Sequence, residues 1–210
     1  MRLRALAVGT LLLGASALAP RPAAASSASA LELVRSARAA EANNDEARAL
    51  RRYTDALGLD PTCEEAYLGL GALRVRRGDL REAERVYSVA LAHLPQSRVA
   101  TLERARVRWT LGAREEAAHD IEAAAVDDPP VLKELAVWYG ELGQAPAQLA
   151  VWRRILVFAQ AHGESPLLTE ARLTVRALQI LVDHADPVVA PGAGTTLRRL
   201  ARDVARRSGG

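Results

Sequence analysis

The chain has 210 residues, with 28 basic and 25 acidic side chains, a formal net charge of +3, 4% aromatic residues and one cysteine. A single cysteine excludes an intramolecular disulfide in any compartment, and so small a charge excess gives no support to nucleic-acid binding. Alanine is abundant and large rings are few, so the core is expected to come from close helix approach.

The N-terminus opens with Arg2 and Arg4, followed by an uncharged run from Ala5 to Ala19 and by Ala23-Ala24-Ala25 before Ser26. This is the layout of a secretory signal peptide over residues 1–25, with an apolar run short for a membrane span. The alternative is an uncleaved membrane anchor. Removing residues 1–25 removes Arg2, Arg4 and Arg21 with no acid, which takes the net charge from +3 to zero. Lys133 is the only lysine, a usage that fits a GC-rich bacterial genome. Together these features predict an exported protein, periplasmic or extracellular.

From about residue 30 the sequence repeats itself. Pro61, Pro95 and Pro129 are spaced by 34 residues, and the same step links Ala49, Ala83 and Ala117, Tyr53, Tyr87 and Ile121, and Ala56, Ala90 and Ala124. Small, large, small and proline columns at this period predict stacked helix–turn–helix units. In the clearest copy the helices are expected over Cys63–Arg77 and Leu80–His93. Thr62 with Glu65, and Asp79 with Glu82, are the expected capping boxes. Gly78 and Gly112 mark the turn inside a pair, a place for positive φ, and Asn44 fills that slot in the first copy. Alanines seven apart sit on one face of the second helix, and the large residue between them fills the gap. The proline cannot continue the helix and ends the unit.

Tyr67-x2-Leu70-Gly71, Gly78, Ala83-x3-Tyr87, Ala90 and Pro95 resemble the tetratricopeptide repeat family nearly throughout, Arg74 being the one departure. The first copy, about residues 30–62, keeps Ala49, Tyr53, Ala56 and Pro61, with Leu33, Ser36 and Ala37 in its weaker first helix. The third, about 96–129, has Thr101 and Arg104 in its first helix. A fourth, about 130–162, appears when the frame slips by three residues, placing Leu132, Leu135, Ala136, Tyr139, Gly143 and Trp152 on the motif. There Gln148 and Ile155 stand in small-residue columns. The resemblance implies an all-α solenoid that binds protein and is nearly silent about chemistry.

After the repeats, Ser165 is the expected cap of a helix over Pro166–His184, and residues 187–194 form a Pro/Gly linker. A last helix, about Thr195–Arg207, sets Leu197, Leu200, Ala201 and Val204 against Arg198, Arg199, Arg202, Arg206 and Arg207. Residues 165–210 are read as a helical cap, with a fifth pair as the alternative. The basic helix is read as the sealing element, against a second reading as a contact for an anionic membrane surface.

Candidate chemistry is sparse. Cys63 at a helix start invites a lowered pKa, but no histidine lies near it in sequence. His93, His119, His162 and His184 are scattered without metal-ligand spacing. Phosphate-loop and nucleophile-elbow motifs are missing. The expectation is a non-enzymatic chain without cofactor or metal.

The resemblance places the first helix of each pair on a concave groove. Its expected lining is Arg38, Glu41, Glu65, Leu68, Arg76, Arg106, Trp109, Lys133, Val137 and Glu141, with Trp109 as the flat anchor. The positions with which some family members grip a C-terminal carboxylate hold Val34, Arg38, Gly69, Val99 and Glu103, which argues against that specificity. The expected function is an adaptor of the bacterial cell envelope that binds a partner peptide or helix. The alternative is a membrane-tethered structural subunit, anchored by its N-terminus or by the basic last helix.

Overall fold

A computed structural model describes residues 23–125, 128–163 and 165–185. The expected signal segment before Ala23, the linker and the basic last helix lie outside the described residues. Within them the chain is all-α, nine helices without a strand: α1 (Ala23–Ala42), α2 (Glu46–Leu59), α3 (Glu64–Arg76), α4 (Leu80–His93), α5 (Arg98–Leu111), α6 (Arg114–Ala124), α7 (Pro129–Glu141), α8 (Ala145–His162) and α9 (Ser165–Asp183). They stack as four antiparallel pairs followed by α9, an α-solenoid. No helix among the described residues is long and apolar enough to cross a membrane.

The turns follow the sequence logic. Asn44, Gly78, Gly112 and Gly143 all have positive φ, from 57° to 89°, and close the four intra-pair turns. Gly163 does the same between α8 and α9, at φ 68°. Asp45 and Ser97 cap α2 and α5 by accepting from the N–H of Arg48 and Ala100, 3.0 Å each. Prolines in the first turn open α7 and α8, where a missing N–H costs nothing.

Two expected caps are corrected. Thr62 does not cap α3: its hydroxyl donates to Asp60 Oδ1 at 2.7 Å, and Cys63 occupies the cap position without a side-chain bond. Asp79 occupies the cap of α4 but makes no cap bond, because Arg74 and Arg77 hold its Oδ2 at 3.1 and 3.2 Å. At Asp79 the arginines outcompete the helix N–H groups for the carboxylate oxygen, whereas at Thr62 the hydroxyl is held by donating to Asp60. Also, α1 starts at Ala23, seven residues before the expected first repeat, and Ser27 donates to Asp60 Oδ2 at 2.7 Å.

The column residues form the core. Ala49, Ala56, Ala83, Ala90 and Ala117 are fully buried, as are Tyr53, Tyr87 and Ile121 between them. Each tyrosine reaches a glycine of α3. A Cβ on Gly69 would stand 2.3 Å from the Tyr53 ring, and one on Gly71 2.4 Å from the Tyr87 ring. So α3 is held between two rings that need the missing side chains. Farther along, the apolar residues of α5 to α9 merge into one larger cluster around Leu132, Leu135, Trp138, Trp152 and Ile155.

Candidate functional site

Helix spacing sets the curvature. The first helices approach one another, α1 to α3 and α3 to α5, with Cα atoms within 8 Å. No such approach joins α2 to α4 or α4 to α6. A stack closer on one side is concave there, so α1, α3 and α5 form an inner wall; α7 does not approach α5 this closely and is joined to it by side chains.

Cross-repeat ion pairs organise that wall. Arg76 of α3 reaches Glu41 of α1 at 3.1 Å, bringing two expected groove residues together. Arg106 of α5 clasps Glu134 of α7 with two bonds of 3.0 and 2.8 Å, and also meets Glu103 at 2.7 Å. The Glu134 bonds push the Arg106 pKa further up, so that side chain stays cationic. Lys133 of α7 pairs with Glu170 of α9 at 2.5 Å. Of the basic residues expected in the lining, Arg76, Arg106 and Lys133 are thus each paired with an acid of a neighbouring helix.

The other expected residues separate by exposure. Arg38, Glu65, Val137 and Glu141 are exposed, Val137 at 57%. Leu68 is partly buried against the α3–α5 core. Trp109 is partly buried and stacks on Trp138 of α7, with ring centroids 4.4 Å apart and planes 7° from parallel. The Arg114 guanidinium lies 5.1 Å from the same ring centre. Much of the expected anchor is therefore spent on joining α5 to α7. Next to this wall Tyr53 has its pKa pushed up to about 12, first by burial and then by Glu41.

Reading single columns missed a polar network behind the wall. Asp120 of α6, 6% exposed, accepts two 2.8 Å bonds from Arg104 and a third of 2.8 Å from Arg108, both on α5. Arg108 also reaches Glu84 of α4 at 2.7 Å. Arg104 stands one period after Leu70 and Asp120 one period after Val86, so an apolar pair of positions has become a salt bridge. That double change was the available signal. Glu134 and Glu170 were missed because ion pairs between repeats do not follow the period.

Cys63 does not have the lowered pKa that a helix start suggested. It is 5% exposed, and burial pushes the thiol up, with Glu65 adding to the effect. His162 stacks on Phe158 at 4.0 Å, and no group of three His, Cys, Asp or Glu among the described residues has metal-site geometry.

Residues 40–106 match the tetratricopeptide repeat family. Among solved structures, YrrB, described as a tetratricopeptide repeat protein with an unusual peptide-binding site, aligns at 18% identity and a TM-score of 0.56, covering 75% of this chain and 79% of its own. A tetratricopeptide repeat protein from Parabacteroides merdae aligns at 17% and 0.55, over 75% and 68% of the two chains. MamA from Desulfovibrio magneticus RS-1 aligns at 15% and 0.53, over 75% and 97%. No curated protein sequence matches the chain. The match over residues 40–106 marks a tetratricopeptide repeat region over α2 to most of α5, and the described helices on either side of it continue the same pairwise stacking.

Proposed function

We propose that this chain is a non-enzymatic interaction scaffold of the bacterial cell envelope, exported by its N-terminal segment, that seats a partner peptide or helix along the wall of α1, α3, α5 and α7. One observation carries the reading. Helices α1, α3 and α5 approach one another closely and α7 joins α5 through Arg106–Glu134 and Trp109–Trp138, and these helices keep Arg38, Glu65, Val137 and Glu141 exposed after other charges have paired. Paired charges fix the spacing of the helices and cost a partner little desolvation, while Val137 offers apolar area to bury. The peptide-binding site named for YrrB lends support, as that protein shares this fold. Export is supported by the Arg2, Arg4, apolar run and Ala23–Ala25 pattern.

The test is capture of partners by the tagged full-length protein from envelope extract, identified by mass spectrometry. Val137→Asp should abolish capture, because it places a charge on the inner wall. Val89→Asp on α4, at a position 44% exposed on the outer side, should leave capture intact. Partners retained by the first variant and lost by the second would move the site to the convex face. The protein recovered from cells should begin at or near Ser26; recovery from the cytoplasm with Met1 in place would contradict export.

A further inference from the structure

Helix α9 closes the described solenoid, and among the described residues it is covered on one side only. Ala171, Leu178 and Val182 face α8, and among the other helices only α8 approaches it backbone to backbone. Its opposite face carries Leu173, Ala177, Ile180 and Leu181, with Leu173, Ile180 and Leu181 66%, 53% and 61% exposed. Positions 173, 177 and 180 follow helical spacing, so these side chains form one apolar stripe about 12 Å long. The stripe ends at the polar Thr169 and Glu170 on one side and at His184 on the other. An open stripe of this kind at the end of a stack is what a terminal cap covers.

We propose that residues 195–207 of the same chain dock antiparallel on this stripe, pairing α9 with a last helix. The occupant is argued from length, spacing and charge. Leu197, Leu200, Ala201 and Val204 recur at helical spacing over about 11 Å, matching the length of the α9 stripe. Residues 186–194 extend to about 30 Å, whereas crossing from the end of α9 to a neighbouring helix axis beside Ile180 needs about 10 Å. An antiparallel return sets Leu197 opposite Ile180 and Val204 opposite Leu173. In that register Arg199, Arg202 and Arg206 point away from the interface into water, and Arg198 and Arg207 lie at its edges, where their heads reach solvent. The arrangement resembles the preceding pairs, with a longer connection replacing the tight glycine turn.

Cysteine pairs in the full chain test the register, since the native Cys63 is buried. Ile180→Cys with Leu197→Cys should form a disulfide within one molecule under mild oxidation. Ile180→Cys with Arg199→Cys should not, because residue 199 faces the other way. Hydrogen exchange gives a second reading: amides 197–204 should be protected in the full chain and lose that protection in Ile180→Asp. Amides of α7 and α8 should stay protected in the same variant, showing that it folds. Equal cross-linking of both cysteine pairs, disulfides between two chains, or exchange at 197–204 indifferent to Ile180→Asp would each overturn the proposal, the second by assigning the stripe to another copy.

Discussion

The first two helix pairs and the last pair with α9 bury their apolar surface by different means. In α1 to α4 the contact positions are Ala30, Ala37, Ala49, Ala56, Gly71, Ala83 and Ala90, and the bulk comes from Tyr53 and Tyr87. Their buried residues fall into small separate clusters. In α7 to α9 the bulk comes from Leu132, Leu135, Trp138, Trp152 and Ile155 in one continuous cluster. Small-residue packing tolerates no shift, because a ring 2.3 Å from the Cβ that Gly69 lacks fits at one register only. Large side chains fill space in more than one way. The 34-residue period holds to Pro129 and slips by three residues on entering α7, where the bulkiest residues of the large cluster begin.

The largest effect expected is in the continuous cluster. Trp138→Ala removes a ring that packs the core and stacks on Trp109, and should cost about 3–5 kcal/mol in denaturant unfolding. The boundary between the two regions gives the next effect. Asp120→Val alone leaves Arg104 without its partner and should cost about 3 kcal/mol. Adding Arg104→Leu restores the residue types of Leu70 and Val86 and should recover most of that loss. If the double variant is no more stable than Asp120→Val, the salt bridge does not substitute for an apolar contact.

In the small-residue half, Ala83→Leu should overpack the helix contact and cost about 1–3 kcal/mol. Its counterpart across the slip is Gln148, whose amide lies 2.8 Å from where a Cβ on Gly140 would be. Gln148→Ala should change stability by less than about 1 kcal/mol. Equal sensitivity at the two positions would erase the distinction between the halves. Titration gives the gentlest handle. Tyr53 and Tyr139 both have pKa values raised to about 12, chiefly by burial. A raised phenol pKa contributes stability that is fully present below pH 10 and is lost as pH rises towards 12. Tyr53→Phe should flatten part of that decline.

Much of the fold was legible because the period reports packing directly. Asn44, Gly78 and Gly112 were readable as turn residues from a positive-φ requirement that few side chains meet. The bounds of α4 agree with expectation at both ends. Capping was less legible: Thr62 and Asp79 have the right residue types, but Asp60 and two arginines compete for them. What the sequence did not reveal for the expected lining was which of its charges are free and which are paired. Arg76, Arg106 and Lys133 find acids on neighbouring helices, and those partners depend on solenoid curvature. Trp109 found a ring 29 residues on, at Trp138, in the buried column that also holds Leu73 and Val107 once the slip is counted.

Hydrogen exchange across the full-length protein tests the contrast most directly. Amides of α7 and α8 should be the most protected and should exchange together, as one cluster opens as a unit. Those of α1 and α2 should exchange earlier and in a separate step, because small clusters that touch only their neighbours open locally. Protection in α1 and α2 equal to or greater than that in α7 and α8 would contradict the account.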